Sequence, residues 1–412
     1  MKYVIIGNGP AAISCIEGIR STDQDGGITV ISKENHPAYF RPLISYYLEG
    51  KSKAENIGCR DNDFYEKNSC EIVYGTVTAI EKESSAVILS DGQKIAYDRL
   101  CICSGSSSFV PPMAGLDTVE KKFTFLTIDD SFAIEKAITQ NRRVLIIGAG
   151  LIGLKCAEGL RDRVQSVTVC DLAPRVLSSI LDDECAAVVQ KHLEECGIIF
   201  SLGNTADHFD GNTAYMKDGS VIDFDVLVLA LGVRPNIGFF KEAGGECNRA
   251  ILVENTMQTS IENIYAAGDC VEQYDITFGD KRIMALLPNA NLGGYTAGVN
   301  MAGGDVSFDN ALPMNSIGFW GLHMMTAGTY ANDGSAKMIE EKSENGIKRF
   351  FIKDNKLIGF IIIGEVKSAG IYTNLIRSQT DLSEIDVDAL IKNPNMIPFG
   401  EIYRRKTLGG VV

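Results

Sequence analysis

An internal repeat, in which a short apolar run is followed by a glycine turn, constrains this chain more than any other feature. Residues 4–20 read VIIGNGPAAISCIEGIR and residues 145–161 read LIIGAGLIGLKCAEGLR, with 8 of 17 positions identical. Each copy begins with a continuous apolar run, which is typical of a strand buried on both faces of a parallel sheet. Each then passes through glycines into a segment with helical periodicity. The chain therefore contains two copies of one strand–turn–helix unit.

The glycines of both turns suit a phosphate-binding turn. Gly7 and Gly148 permit a tight reversal from strand to helix, and the missing Cβ at Gly9 and Gly150 lets a pyrophosphate approach the backbone N–H groups. The helix that follows offers its N-terminal N–H groups and partial positive charge to the phosphates. The residues predicted to line the two sites are Gly7, Gly9, Pro10 and Ala11 in the first copy, and Gly148, Gly150, Leu151, Ile152 and Gly153 in the second.

An acidic residue after each repeat is a candidate for binding an adenosine ribose. Asp171 ends a predicted strand 23 residues beyond Gly148, where its carboxylate can accept hydrogen bonds from both ribose hydroxyls. No arginine stands directly beside it to neutralise a 2′-phosphate, although Arg175 is near, so the sequence favours NADH over NADPH. Glu34 has the corresponding place after the first copy, with Lys33 beside it.

Two dinucleotide sites in one chain indicate a flavin together with a nicotinamide nucleotide, placed so that hydride can pass between them. Strand patterns in EIVYGTVTAI, AVILSDGQKIAY and DRLCICSGSS predict an antiparallel insertion that leads back to a sheet strand. The same arrangement recurs in TAYMKDGSVIDFDVLVLALGVRPN, so the repeat extends beyond the glycine turn. The segment from Pro111–Pro112 to Thr127 is predicted to link the two halves.

The charge balance limits the class of partner. The 412 residues include 39 Lys and Arg against 53 Asp and Glu, a net charge of −14. An acidic surface repels phosphate backbones and anionic lipids, so we expect neither nucleic acid nor a membrane as partner. No leader or membrane-spanning run is recognisable, which favours a cytoplasmic location. The 11 cysteines include no C-x-x-C pair and the histidines lack metal-ligand spacing, so no metal site is expected.

With these segments identified, the chain resembles the FAD-dependent pyridine nucleotide-disulfide oxidoreductase superfamily. Within it, the sequence is most similar to NADH:rubredoxin reductases and to the flavin domain of NADH-dependent nitrite reductases. The resemblance covers roughly residues 1–385 and includes HPAYFRPLIS, GTVTAI, YDRLCICSGS, LALGVRPN, NIYAAGDC and KLIGFIIIGEVKSAGIYTNLI. It implies that FAD and NADH are the cofactors.

The fold implied by this resemblance is α/β, with two Rossmann-like dinucleotide-binding domains of the three-layer, glutathione-reductase-like type and a C-terminal α+β domain. We expect a discontinuous FAD-binding domain at 1–115 and 247–310 and an NAD-binding domain at 116–246. The interface domain, which includes a tail, is expected at 311–412.

The resemblance also implies roles for residues outside the glycine turns. Asp269 in NIYAAGDC would bind the ribityl hydroxyls of FAD, Arg41 would face its pyrophosphate, and Val77 would hold the adenine through its backbone. The remaining matches are Ser104 and Gly105 near the FAD phosphates, the helix start Pro288–Asn289–Ala290 at the flavin O2 region, and Gly232 in the loop that approaches NAD.

Three positions depart from the pattern of the superfamily. Pro42 stands where disulfide-reducing members carry a redox cysteine, and no cysteine lies between Cys15 and Cys59, so a thiol mechanism is not expected. Tyr46 stands where other relatives place a lysine at flavin N5, and Lys155 stands where they place its glutamate partner. We therefore predict that Lys155 is a catalytic residue near flavin N5 that stabilises the reduced flavin by charge. A solvated helix lysine is the alternative interpretation.

The predicted activity is hydride transfer from NADH to FAD, followed by release of single electrons to an external iron or iron–sulfur acceptor. The acceptor is expected in a rubredoxin-like protein or a partner subunit. Two alternatives stay open, namely an NADH oxidase that uses O2 and a redox-sensing or assembly flavoprotein subunit without its own turnover. A homodimer and a hetero-complex are both compatible with the sequence. Arg404–Arg405–Lys406 and Gly409–Gly410 are either a docking tail for another subunit or a disordered end.

Overall fold

A computed structural model of the chain describes residues 1–330, 334–344, 346–395 and 397–401. The segment predicted as a docking tail or a disordered end, with Arg404–Arg405–Lys406 and Gly409–Gly410, lies outside these residues. The chain divides into two compact units. The first is formed by Met1–Gln273 and Ile283–Phe308, and the second by Tyr274–Arg282 and Asp309–Val412. Both copies of the repeat belong to the first unit.

The strands are β1 (Lys2–Ile6), β2 (Gly27–Ser32), β3 (Cys70–Tyr74), β4 (Val77–Glu81), β5 (Ala86–Leu89), β6 (Lys94–Ala96), β7 (Arg99–Ile102), β8 (Ser106–Ser108), β9 (Lys122–Thr124), β10 (Arg143–Ile147), β11 (Ser166–Asp171), β12 (Ile198–Leu202), β13 (Ala206–Asp210), β14 (Thr213–Met216), β15 (Val221–Asp223), β16 (Val226–Leu229), β17 (Val233–Pro235), β18 (Ile251–Leu252), β19 (Ile264–Ala266), β20 (Val271–Asp275), β21 (Asp280–Ile283), β22 (Met314–Phe319), β23 (Leu322–Gly328), β24 (Lys337–Ser343), β25 (Gly346–Lys353) and β26 (Lys356–Ile363). The α-helices are α1 (Pro10–Thr22), α2 (Ile44–Glu49), α3 (Phe64–Lys67), α4 (Ile128–Ala137), α5 (Leu151–Leu160), α6 (Asp183–Glu195), α7 (Gly238–Glu242), α8 (Leu287–Met301), α9 (Gly370–Arg377) and α10 (Val387–Lys392).

The first copy of the repeat forms the centre of a five-stranded parallel sheet. The strand order is β19–β7–β1–β2–β3, and Val4 pairs with Leu100 on one side and Thr29 on the other. Val4 and Ile5 are both buried. Because successive side chains of a strand point to opposite faces, both faces of this sheet are covered.

The second copy forms an equivalent sheet with the order β12–β11–β10–β16–β9, again parallel throughout. Leu145 and Ile146 are fully buried at its centre. The segment predicted only to link the two halves contributes β9 to this sheet, where Phe123 pairs with Val228. The linker prediction was therefore incomplete, because a three-residue strand is too short to show its periodicity in the sequence.

Both sheets carry an antiparallel insertion, as the second half of the repeat predicts. β4, β5 and β6 form one three-stranded insertion and β13, β14 and β15 form the other. A further two-stranded antiparallel pair joins β8 to β17, with Ser107 opposite Arg234. This pair connects the segments that follow β7 and β16.

Small residues bring α1 and α8 into close contact. A Cβ added at Gly294 would lie 2.1 Å from the carbonyl oxygen of Ala11, and one added at Gly298 would lie 2.1 Å from that of Cys15. The helix backbones can approach this closely only because these two residues are glycines. The packing holds α1, which begins at the first glycine turn, in a fixed position.

The second unit contains an antiparallel sheet with the order β22–β23–β26–β25–β24. Phe350, Phe360 and Tyr372 form the centre of its core, and Leu390 of α10 belongs to the same cluster. With two parallel-sheet halves and this antiparallel domain, the predicted fold class is confirmed. Within the described part of the chain, no helix combines the length and apolar character needed to cross a membrane.

Candidate functional site

The first glycine turn connects β1 to α1. Gly7 has a φ of +108°, and a Cβ there would lie 2.1 Å from the carbonyl oxygen of Cys103, so only glycine fits. The situation differs at Gly9, where a Cβ would meet no described atom within 4 Å. Pro10 then begins α1 with its ring in the first turn, where no N–H partner is needed, and Ala11 follows it.

The second glycine turn has the same geometry. Gly148 has a φ of +117°, and a Cβ there would lie 2.2 Å from the carbonyl oxygen of Ala230. Gly153 packs against the turn itself, since its Cβ would lie 1.9 Å from the carbonyl oxygen of Gly148. At Gly150, as at Gly9, the space that a Cβ would enter holds no described atom within 4 Å.

These two open positions form cradles at helix N-termini that fit a pyrophosphate. A Cβ at Gly9 or Gly150 would not clash with any described atom, so packing within the protein does not require glycine at these positions. Close approach of a bound pyrophosphate to the backbone does require it. Leu151 and Ile152 begin α5, whose first N–H groups face the second cradle. The donor set therefore suits one dinucleotide at each turn.

Asp171 lies at the end of β11, beside the second cradle. Its Oδ2 accepts a hydrogen bond of 2.7 Å from the N–H of Ala149, and its Oδ1 accepts one of 2.7 Å from the N–H of Ala173. The carboxylate is thus held next to the glycine turn with lone pairs available for further donors. Arg175 forms an ion pair of 2.8 Å with Asp183, so its charge is directed to another carboxylate.

Glu34 and Arg41, predicted as separate FAD ligands, form an ion pair in the structure. The hydroxyl of Tyr39 also donates to Glu34, and the N–H of Ile128 donates to that hydroxyl at 3.0 Å. Arg41 further donates to the carbonyl oxygen of Leu126 at 3.0 Å. Burial acts against the charge of Arg41, but Tyr39 and Glu34 raise its pKa. Sequence reasoning missed Tyr39, although its place in HPAYFRP, between Glu34 and Arg41, was a usable signal.

Asp269 follows β19 and a glycine with a φ of +87° at Gly268. Its Oδ2 accepts a hydrogen bond of 3.3 Å from the hydroxyl of Ser106. Burial raises the pKa of Asp269, while Ser106 and the charge of Arg41 act in the opposite direction. A carboxylate in this position is suited to accept hydrogen bonds from hydroxyl groups of a bound molecule.

The predicted positions Ser104 and Gly105 are tied to the loop of the second half. The hydroxyl of Ser104 donates to the carbonyl oxygen of Asn236 at 2.7 Å, and the N–H of Asn236 donates to the carbonyl oxygen of Gly105 at 3.0 Å. Gly232 has a φ of +97°, and its carbonyl oxygen accepts a bond of 2.9 Å from Phe109. Val77 is the first residue of β4 and takes no part in these contacts.

Lys155 lies in the first turns of α5 and is not a solvated side chain. Only 18% of it is exposed, and its ammonium group forms an ion pair with Glu158, of which 5% is exposed. The same ammonium group lies 5.1 Å from the ring centroid of Tyr46 in α2. The structure thus brings together Tyr46 and Lys155, two of the three positions that depart from the superfamily pattern. Glu158 was missed as a site residue, although it lies at the i+3 spacing from Lys155.

A second set of contacts fixes α2 against the helices of the second half. Arg163 donates to the carbonyl oxygen of Leu48 at 2.6 Å and forms an ion pair of 3.0 Å with Glu135. The hydroxyl of Tyr47 also donates to Glu135, and burial together with this bond raises the pKa of Tyr47 to about 12. A Cβ at Gly159 would lie 3.1 Å from the carbonyl oxygen of Ser45, so α2 and α5 are in close contact.

The cysteines do not provide a reactive thiol at the site. Pro42, which the resemblance matches to the redox cysteine of disulfide-reducing enzymes, lies in a short 3-10 turn before α2. Burial raises the pKa of Cys59 to about 12 and that of Cys270 to about 12. Thiols with such pKa values remain protonated at neutral pH and are poor nucleophiles.

The chain belongs to the pyridine nucleotide-disulphide oxidoreductase family, whose pattern matches residues 1–294. Residues 313–380 match the rubredoxin NAD+ reductase C-terminal domain. The predicted family is thereby confirmed, and the chain is an oxidoreductase that uses FAD and a nicotinamide nucleotide.

Particular relatives span nearly the whole chain. It is 30% identical over 396 residues to the NADH-dependent phenylglyoxylate dehydrogenase subunit epsilon of Aromatoleum evansii, with 93% of each chain covered. It is 35% identical over 395 residues to an NADH oxidase of Methanocaldococcus jannaschii, with 88% of each covered. The NADH:rubredoxin oxidoreductase structure from Clostridium acetobutylicum superimposes with a TM-score of 0.77 at 26% identity, covering 95% of this chain and 99% of that one.

Proposed function

We propose that this chain oxidises NADH through bound FAD and passes single electrons to an iron or iron–sulfur centre in a rubredoxin-like protein or partner subunit. One observation supports this proposal above the others. Two phosphate cradles, at Gly9 and Gly150, lie in one compact unit, and the buried cysteines offer no thiol at the site. With no thiol available, electrons must leave the flavin directly.

The first cradle and its neighbours would hold FAD, which accepts two electrons together and releases them one at a time. The N–H groups at the start of α1 and the charge of Arg41 would bind its phosphates, and Asp269 would accept hydrogen bonds from its ribityl hydroxyls. The residues assigned to FAD are Gly7, Gly9, Pro10, Ala11, Glu34, Arg41, Val77, Ser104, Gly105 and Asp269.

The second cradle would hold NADH. The first N–H groups of α5 would bind its pyrophosphate, and Asp171, fixed by Ala149 and Ala173, would bind the adenosine ribose. The residues assigned to NAD are Gly148, Gly150, Leu151, Ile152, Gly153, Asp171 and Gly232. This assignment corresponds to an FAD domain at 1–115 and 247–310, an NAD domain at 116–246 and an interface domain at 311–412.

Lys155 is proposed to lie beside the flavin and to stabilise its reduced form by charge. The ion pair with Glu158 and the contact with Tyr46 hold the ammonium group in place, so the charge acts from a fixed position. A cytoplasmic location is part of the same proposal, and it is supported by eleven free cysteines in the described structure.

The names of two relatives bear on the identity of the acceptor. The name of the Methanocaldococcus relative supports the alternative of an NADH oxidase, in which O2 takes the electrons. The name of the Aromatoleum relative, a subunit of an NADH-dependent dehydrogenase, supports the main proposal in the form in which the acceptor is a partner subunit.

An anaerobic titration with NADH, followed by visible absorbance, tests the proposal. We expect one equivalent of NADH to bleach the bound flavin, and one-electron acceptors such as rubredoxin or ferricyanide to restore the colour quickly. Restoration by O2 at the same rate would favour the oxidase. Flavin that stays oxidised with excess NADH would overturn both enzyme proposals and favour a subunit without turnover.

A further inference from the structure

A groove of about 500 Å³ lies in the second unit, and all of its described lining residues belong to that unit. Ile339, Ile352 and Leu382 contribute apolar side chains to its lining. The groove has no signal in the sequence, because its walls come from β24, β25, the segment before α10 and α10 itself. We propose that it binds residues 402–412 of the same chain.

The charge of the groove is opposite to that of this segment. Among the described residues that line the groove are three carboxylates, Asp354, Asp386 and Asp388, and one basic residue, Lys337. Residues 402–412 read IYRRKTLGGVV, with three basic residues and no acidic one. The basic side chains of the segment therefore match the carboxylates, and its apolar residues match the isoleucine and leucine side chains.

The described chain leads towards the groove at the point where the segment begins. Ile385 forms an antiparallel bridge with Phe399, and the N–H of Asp386 donates to the carbonyl oxygen of Pro398 at 3.1 Å. Gly400 is next to Glu384, since its Cβ would lie 3.4 Å from the carbonyl oxygen of that residue. Because the pairing is antiparallel, the chain that continues beyond Phe399 runs alongside the preceding residues, from Ile385 towards Asp381.

Asp354 and Asn355 line the groove, and Asp381 lies in the direction in which the chain runs. Asn355 follows Asp354 and donates to the carboxylate of Asp381 at 2.5 Å, and its carbonyl oxygen accepts a bond of 2.9 Å from Leu382. An extended chain advances about 3.3 Å per residue, so five residues beyond Phe399 reach about 16 Å. This length is sufficient for Arg404–Arg405–Lys406 to reach these carboxylates in the same chain, as the proposal requires.

Cross-linking of the full-length protein tests where the segment binds. A carbodiimide joins a lysine amine to a carboxylate only when the two are in contact. In an equal mixture of ¹⁴N and ¹⁵N protein, we expect Lys406 to be linked to Asp354, Asp381 or Asp388 in peptides of a single isotope. Mixed-isotope peptides as the main product would mean that the segment binds a second copy and would overturn the proposal.

A peptide with the sequence of residues 402–412 tests the groove independently. Full-length protein carrying R404Q/R405Q/K406Q, with its own segment neutralised, should bind the labelled peptide in a fluorescence anisotropy titration. Wild-type protein should bind it at least tenfold more weakly, because its own segment competes. Equal binding to the two proteins, or no binding to the neutralised one, would contradict the proposal.

Two substitutions test whether the peptide binds at the carboxylates of the groove. Asp354→Asn and Asp388→Asn, made in the neutralised protein, should each weaken peptide binding several-fold, and 0.5 M salt should weaken it further. Asp386 is not used because its carboxylate caps α10 through the N–H of Ala389. Asp309→Asn, at an exposed carboxylate of the same unit, is the matched control and should have no effect. Equal effects at all three positions would overturn the assignment of the groove.

Discussion

The ammonium group of Lys155 lies 5.1 Å from the ring centroid of Tyr46, a contact between α5 and α2. The same group forms an ion pair with the buried carboxylate of Glu158. Tyr46 and Lys155 are two of the positions at which the sequence departs from the superfamily pattern that it resembles. We propose that Lys155 on α5 supplies the positive charge that this pattern places on α2.

Lys155→Ala should make the midpoint potential of the bound flavin more negative. Reduction adds negative charge to the flavin, and a nearby ammonium group stabilises that charge. A unit charge at about 8 Å with an effective dielectric constant near 20 contributes about 2 kcal/mol. For a two-electron couple this corresponds to about 45 mV. The potential is measured by anaerobic titration with reference dyes.

The control for this experiment is Lys191→Ala, because 78% of the Lys191 side chain is exposed. It should leave the flavin potential unchanged. A Lys155→Ala protein with the wild-type potential would show that this lysine does not act on the flavin.

Glu158→Gln should lower the free energy of unfolding by roughly 1–3 kcal/mol. The substitution leaves a mostly buried ammonium group without its charged partner on the same helix, which costs more than loss of an exposed ion pair. The urea midpoint of the flavin-loaded protein measures the change. The double variant K155M/E158L removes both charges and should recover part of the loss. A single variant as stable as the wild type would mean that the pair contributes nothing to stability.

The sequence predicted those parts of the fold and site that depend on local constraints. Gly7 and Gly148 each require a positive φ next to a buried strand, and such a requirement is visible in the residue type. The contact of Lys155 with Tyr46 and that of Arg41 with Leu126 depend on packing between segments that are distant in the sequence. Tyr46 and Arg41 could be identified as positions in the sequence, but these contacts appear only in the folded chain.

The two kinds of glycine should respond differently to substitution by alanine. Gly9→Ala and Gly150→Ala place a methyl group where no described atom lies within 4 Å, so we expect nearly wild-type stability of the flavin-free chain. Gly9→Ala should lower the flavin content of the purified protein, and Gly150→Ala should raise the KM for NADH about tenfold with full flavin content. Absorbance and steady-state kinetics measure these effects.

Gly148→Ala is the matched comparison. Its Cβ would lie 2.2 Å from the carbonyl oxygen of Ala230 at a φ of +117°, so this substitution should destabilise the chain itself by about 2 kcal/mol or more. If Gly150→Ala destabilised the flavin-free chain as much as Gly148→Ala, glycine at position 150 would be required by the fold and not by a bound pyrophosphate.

Asp269→Asn should stabilise the flavin-free chain at neutral pH. Burial raises the pKa of Asp269, so the folded state binds its proton more readily than the unfolded state. The ionised carboxylate therefore destabilises the fold as the pH rises from the ordinary pKa of about 3.9 through the raised value. The urea midpoint of the variant should exceed that of the wild type at pH 7, and the difference should disappear near pH 3. A difference independent of pH would contradict this origin, and Asp305→Asn, at an exposed carboxylate, provides the baseline.

Asp171 should determine the choice between NADH and NADPH. Its carboxylate is held beside the second glycine turn by the N–H groups of Ala149 and Ala173. In the proposed site it would accept hydrogen bonds from a ribose with free hydroxyls and would repel a 2′-phosphate. Loss of charge-assisted hydrogen bonds worth about 2 kcal/mol corresponds to roughly a thirtyfold lower kcat/KM. Asp171→Ala should therefore reduce kcat/KM for NADH by this factor and leave that for NADPH nearly unchanged.

Leu172 provides the complementary change, because 66% of it is exposed directly beside Asp171. The variant D171A/L172R adds a guanidinium group that can bind a 2′-phosphate and should prefer NADPH. L172A is the control and should behave as the wild type with both nucleotides. If Asp171→Ala lowered kcat/KM equally for the two nucleotides while flavin content stayed constant, the carboxylate would act by holding the backbone of the turn and not by binding the ribose.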